Sequence, residues 1–101
     1  MPNPDQCDIR SIRPGVWQVE SDYNPDFVDY MKSRVPADDR SYDPDTHFWE
    51  IRGDNYIPML ESIAVQKFSF ATRIYTDNQG RRVWRNLKTG REEVQENLFG
   101  T

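Results

Sequence analysis

The sequence predicts a small α+β domain, of order β-α-β-β-α followed by a C-terminal β-hairpin, on three observations. A helix signal with both ends specified runs directly into a hairpin signal between residues 24 and 51. A second amphipathic segment follows, and beyond residue 67 the helical period gives way to strand-like alternation around two turns. At 101 residues, 36% hydrophobic and 30% charged, the chain fits one domain with a modest core and leaves no room for a motor or a cofactor-binding fold.

Residues 1–12 hold two prolines and no apolar period, so a flexible arm is expected there. Gly15 to Glu20 alternates as a strand, with Trp17 and Val19 on one face. Asn24 can cap the orphan amides of a helix, Pro25 suits its first position, and Pro36 stops it. Phe27, Tyr30, Met31 and Val35 then form one apolar stripe. In the hairpin, Asp43-Pro44-Asp45 supplies the turn between a strand bearing Tyr42 and one bearing Phe48, Trp49 and Ile51. Residues 54–66 read as a second helix, with Asp54 as its cap, Pro58 in its first turn, and Tyr56, Met59, Leu60 and Ile63 facing the core.

From Phe68 to Thr76 the chain is rich in aromatic and β-branched residues, Asp77 to Gly80 is a turn, and Arg81 to Asn86 returns. A second turn at Leu87 to Gly90 can lead into a third strand, Arg91 to Val94. The domain is therefore expected over 13–94, its first part 13–66 and its basic hairpin part 67–94, with a flexible tail at 95–101.

The stretch from Asn24 to Ile51 resembles the HARP module, the small domain beside the motor of annealing helicases that is also met alone in bacterial and phage proteins. Tyr30-Met31-Lys32, Val35-Pro36, Arg40, Tyr42-Asp43, Trp49 and Ile51 carry the resemblance. It implies that Tyr42 and Trp49 pair to fix the hairpin to the helix. It also implies contact with branched or single-stranded DNA in support of a motor. Two departures stand out: Asp38 and Asp39 lie where the link is more usually neutral or basic, and the 101 residues hold no motor.

Several chemistries are excluded or disfavoured. No window approaches the roughly 18 apolar residues of a membrane span, and the first residues lack the basic and apolar regions of a signal peptide, so a cytoplasmic protein is expected. A single cysteine, Cys7, rules out an internal disulfide and any cysteine-based zinc site. His47, the one histidine, has no serine or cysteine nucleophile at a recognised spacing. Asp38, Asp39, Asp43 and Asp45 miss the calcium-loop pattern and suit turns and caps, and the five glycines are scattered singly rather than gathered in a phosphate loop. The expectation is a non-enzyme with no catalytic residue, no metal, no cofactor and no small-molecule substrate.

Charge points to a partner. Residues 1–66 hold 13 acidic and 6 basic side chains, a net of −7, whereas residues 67–91 hold seven basic side chains against Asp77, a net of +6. With the last ten residues the chain sums to −4. A basic segment on an acidic protein either meets a polyanion or screens the acidic half. Arg73, Tyr75, Arg81, Arg82, Trp84, Arg85, Lys88 and Arg91 are the candidate nucleic-acid-binding residues. Tyr75 and Trp84 could stack bases while the arginines take phosphates, or close the core as a cross-strand pair while the arginines reach water. The leading expectation is binding of single-stranded or forked DNA. The alternative is a phage or mobile-element protein that binds and regulates a host protein.

Overall fold

The structure, a computed structural model, describes residues 5–95. Seven strands form one mixed sheet: β1 (Gln6–Arg13), β2 (Val16–Ser21), β3 (Arg40–Asp43), β4 (Phe48–Arg52), β5 (Phe70–Thr76), β6 (Arg82–Asn86) and β7 (Glu92–Gln95). Helix α1 (Pro25–Arg34) joins β2 to β3, and α2 (Ile57–Lys67) joins β4 to β5. The sheet order is β3-β4-β2-β1-β5-β6-β7. Every neighbouring pair is antiparallel except β1 and β5, which are parallel. The class is α+β, and no helix of the described residues is long and apolar enough to cross a membrane.

The arm expected over residues 1–12 is corrected from Gln6 onward, because β1 is the central strand. Its side chains alternate, with Cys7 and Ile9 fully buried and Asp8 and Arg10 half-buried on the opposite face. The folded unit therefore starts before residue 13, and Gln95 belongs to β7 rather than to a tail. The expectations for residues 1–4 and 96–101 lie outside the described residues. The basic part is a three-stranded meander, and pairing of β5 with β1 makes it continuous with the rest of the sheet.

Both helices cover one face of the sheet. On α1 the Asn24 side chain accepts the Phe27 amide at 3.1 Å, Pro25 opens the first turn, and Phe27 and Met31 are buried, as is Val35 just past the last turn. Helix α2 brings Ile57, Leu60, Ile63 and Ala64 to the same core, where Cys7, Ile9, Val19, Ile51 and Ala71 rise from the sheet. Asp54 does not cap this helix. It sits in a preceding 3-10 turn over 54–56, and its carboxylate accepts the Trp17 indole N–H at 2.7 Å. In the hairpin Tyr42 and Trp49 are cross-strand partners with ring centroids 4.9 Å apart, and the Lys32 ammonium of α1 lies 5.9 Å from the Trp49 ring.

Candidate nucleic-acid interface

Register decides which of the expected site residues can act together. On β5 and β6, Ile74 lies opposite Trp84 and Tyr75 opposite Val83. Alternation then sends Tyr75 and Trp84 to opposite faces, so the shared aromatic surface does not form. Arg73, Tyr75 and Arg85 fall on the helix-covered side, while Arg82 and Trp84 fall on the other.

Most of the charge on the covered side is already engaged. Arg73 pairs in bidentate fashion with Glu61 of α2, its second contact at 2.6 Å, and its guanidinium lies 5.8 Å from the Trp17 ring and 6.0 Å from that of Tyr75. The Glu61 hydrogen bond strengthens the hold of Arg73 on its proton against the opposing effect of burial. Tyr75 donates its hydroxyl to Glu92 at 2.6 Å, which raises its pKa. Arg85 is exposed and stands between Arg73 and Glu92 across the strands.

Arg81 is taken up by its own turn. The Asp77 carboxylate accepts the Arg81 and Gln79 amides, each at 2.9 Å, and the Arg81 Nε at 2.9 Å. Those contacts, the Arg81 amide first, hold Asp77 below the usual carboxylate range.

The face away from the helices is different. One row crosses all seven strands there: Ser41, Glu50, Gln18, Arg10, Ile74, Trp84 and Glu93. The described residues place no helix over it. Arg10 donates to Gln18 at 3.0 Å, and Arg82 reaches over β5 to the Ser11 carbonyl at 2.8 Å. Burial and the neighbouring Arg10 charge both lower the Arg82 pKa. Beyond them, Thr72, Trp84, Asn86, Arg91 and Glu93 line an open depression of about 330 Å³. Trp84 is half-buried, and Asn86, Arg91 and Glu93 are exposed. Lys88 lies in the turn that joins β6 to β7.

Of the eight expected residues, the fold thus gathers Trp84 and Arg91 at one depression, with Arg82 on the same strand as Trp84. Thr72, Glu93 and Arg10 were missed. Arg10 sits in the segment read as an arm, and Glu93 reads in sequence as part of an acidic end. Counting in twos outward from Trp84 along β6 does reach Arg82 and Asn86, so that much of the surface is visible in sequence. Compared with protein-family models, with curated proteins and with solved structures, the chain gives no match.

Proposed function

We propose that this chain is a non-catalytic module that binds single-stranded nucleic acid on the uncovered face of its sheet, at the β5–β7 end. The observation that carries this reading is the placement of Trp84 in a depression open to solvent, with Arg91 on its rim and Arg82 two residues along the same strand. A partly exposed indole on an uncovered sheet face offers a stacking surface to any base, and a stacked base contributes on the order of 1–3 kcal/mol. Arg82, Lys88 and Arg91 supply positive charge for a phosphate backbone on a protein whose net charge is −4. The HARP resemblance points the same way.

Reversal of Lys88 and Arg91 to glutamate should weaken binding of a labelled oligonucleotide at least about tenfold, since both charges lie where phosphates would pass. Wild-type affinity should fall with salt at a log–log slope of about −0.7 for each phosphate neutralised. Fluorescence anisotropy measures both. Absence of wild-type binding at low salt would overturn the reading.

One observation favours a second reading, a protein partner. At the far end of the same face Ile12, Gln18, Ser41, Phe48 and Glu50 line a groove of about 190 Å³, and Ile12 is 41% exposed. An apolar anchor from a partner protein would fit such a groove, and binding there would respond little to salt.

A further inference from the structure

A carboxylate beside the stacking surface is the feature that general phosphate binding does not explain. Glu93 is the cross-strand partner of Trp84, is exposed, and forms no ion pair among the described residues. Such a group repels phosphates and weakens any surface built for the backbone alone. On a base stacked there it would instead accept N–H donors.

We infer that the depression formed by Thr72, Trp84, Asn86, Arg91 and Glu93 is a base-specific subsite that prefers guanine; this rests on the single-strand reading above. Each unstacked base presents a different edge to a side chain lying beside it. Guanine alone among the common bases carries two adjacent donors on its Watson–Crick edge, N1–H and the N2 amino group, and a carboxylate can accept both. Thymine and uracil offer one N–H flanked by carbonyl oxygens. Adenine and cytosine offer one amino group beside a ring acceptor that a carboxylate repels.

The neighbouring row of the subsite, Asn86 and Arg91, has the complementary polarity. The Asn86 side-chain oxygen accepts the Lys88 and Thr89 amides at 2.9 and 3.2 Å. That anchoring assigns the orientation of the amide and leaves its NH2 as the group with donors to give. With the Arg91 guanidinium also on the rim, the site has donors for guanine O6 and N7 beside an acceptor for N1 and N2. Trp84 lies directly opposite Glu93 and two residues from Asn86 along β6, and its indole supplies the stacking plane.

The experiment uses fluorescence anisotropy with labelled ten-nucleotide thymidine strands, unaltered or with one central thymine replaced by guanine, adenine or cytosine. The guanine strand should bind about tenfold more tightly than the others, a margin expected of a bidentate contact. Glu93→Gln should cut that preference to below about threefold, chiefly by weakening the guanine strand, and Trp84→Ala should weaken every strand. Asp29→Asn, on the exposed side of α1, is the control and should change neither affinity nor preference. Melting curves on each variant keep a folding defect from passing as a binding one. Equal affinity for all strands, preference for another base, or a guanine preference that survives Glu93→Gln would overturn the inference while leaving the single-strand reading in place. Failure of every strand to bind at low salt would overturn both.

Discussion

Glu61 on α2 grips Arg73 on β5 through both of its carboxylate oxygens, and this pair ties the second helix to the middle of the sheet. Arg73 also stands directly opposite Arg85 on β6, so two like charges face each other across the strands. The arrangement is tolerable because Glu61 neutralises one guanidinium from above and Glu92 lies beside the other.

Arg73→Gln should therefore destabilise the fold by about 1–3 kcal/mol, since it leaves a largely enclosed Glu61 without its charged partner. The same change at exposed Arg85 should stay within about 0.5 kcal/mol. Urea denaturation of the two variants measures the contrast. Equal effects would mean that the Glu61 pair contributes nothing beyond a surface ion pair.

Trp49→Ala should cost about 3 kcal/mol, because the ring packs against the core, contacts Tyr42 and receives Lys32 from α1. Tyr42→Ala should cost about 1 kcal/mol, the usual worth of an aromatic cross-strand pair at a site that is 45% exposed. Thermal melting of both variants ranks them, and the reverse order would mean that the hairpin is held through Tyr42.

These residues also show which parts of the fold were legible in sequence. Asn24, Pro25, Pro36, Trp49 and Pro58 act through local rules of capping, ring closure and alternation, and the helices and the hairpin followed from them. Strand β1 was not legible. Cys7-Asp8-Ile9-Arg10 alternates for only a few residues, and although β1 forms a hairpin with β2, the partner on its other edge, β5, lies about sixty residues away. The site was legible only in part for a related reason. One residue of register separates Tyr75 and Trp84 into different faces, and register across a turn is set by the hydrophobic pattern of the whole sheet. The pairing of Glu61 with Arg73 depends on how a helix docks, which no spacing along the chain reports.

Among the described glycines, Gly53 is the one least able to accept a side chain. Its φ is +127°, and an added Cβ would come within 2.9 Å of both the Asn55 amide oxygen and the Tyr56 ring. Its amide also donates to the Gly15 carbonyl at 2.8 Å, which fixes the path of the chain into α2. Gly53→Ala should lower stability by about 1–3 kcal/mol through strain and crowding together. Gly80→Ala, where φ is +79° but nothing lies within 4 Å, should cost less. Denaturation midpoints decide the order.

Asn24 serves two helices. Its Oδ1 accepts the Phe27 amide at 3.1 Å, and its Nδ2 reaches the Lys67 carbonyl at the end of α2 at 3.4 Å. Asn24→Ala should cost about 1 kcal/mol, whereas Asn24→Asp, which keeps the cap acceptor but sets a carboxylate oxygen against the Lys67 carbonyl, should cost less than that. If the two variants melt alike, the contact to Lys67 is the one that matters.

Cys7 gives a readout of global opening. Burial in the core, reinforced by the neighbouring Asp8 charge, pushes its thiol pKa far above the ordinary cysteine value, and the residue is completely enclosed. Iodoacetamide at pH 8 should therefore leave the folded protein unmodified and alkylate it in urea at the rate of a free thiol. The sign of the pH effect follows from the same shift. Below about pH 8.5 the thiol is protonated in both states and its contribution is fully present. Above that pH only the unfolded chain releases the proton, so stability should fall by up to about 1.4 kcal/mol for each further pH unit from this group. Cys7→Ala should flatten that alkaline slope by the contribution of one proton. Rapid alkylation of the native protein, or an unchanged slope in the variant, would show that β1 opens without the rest of the sheet.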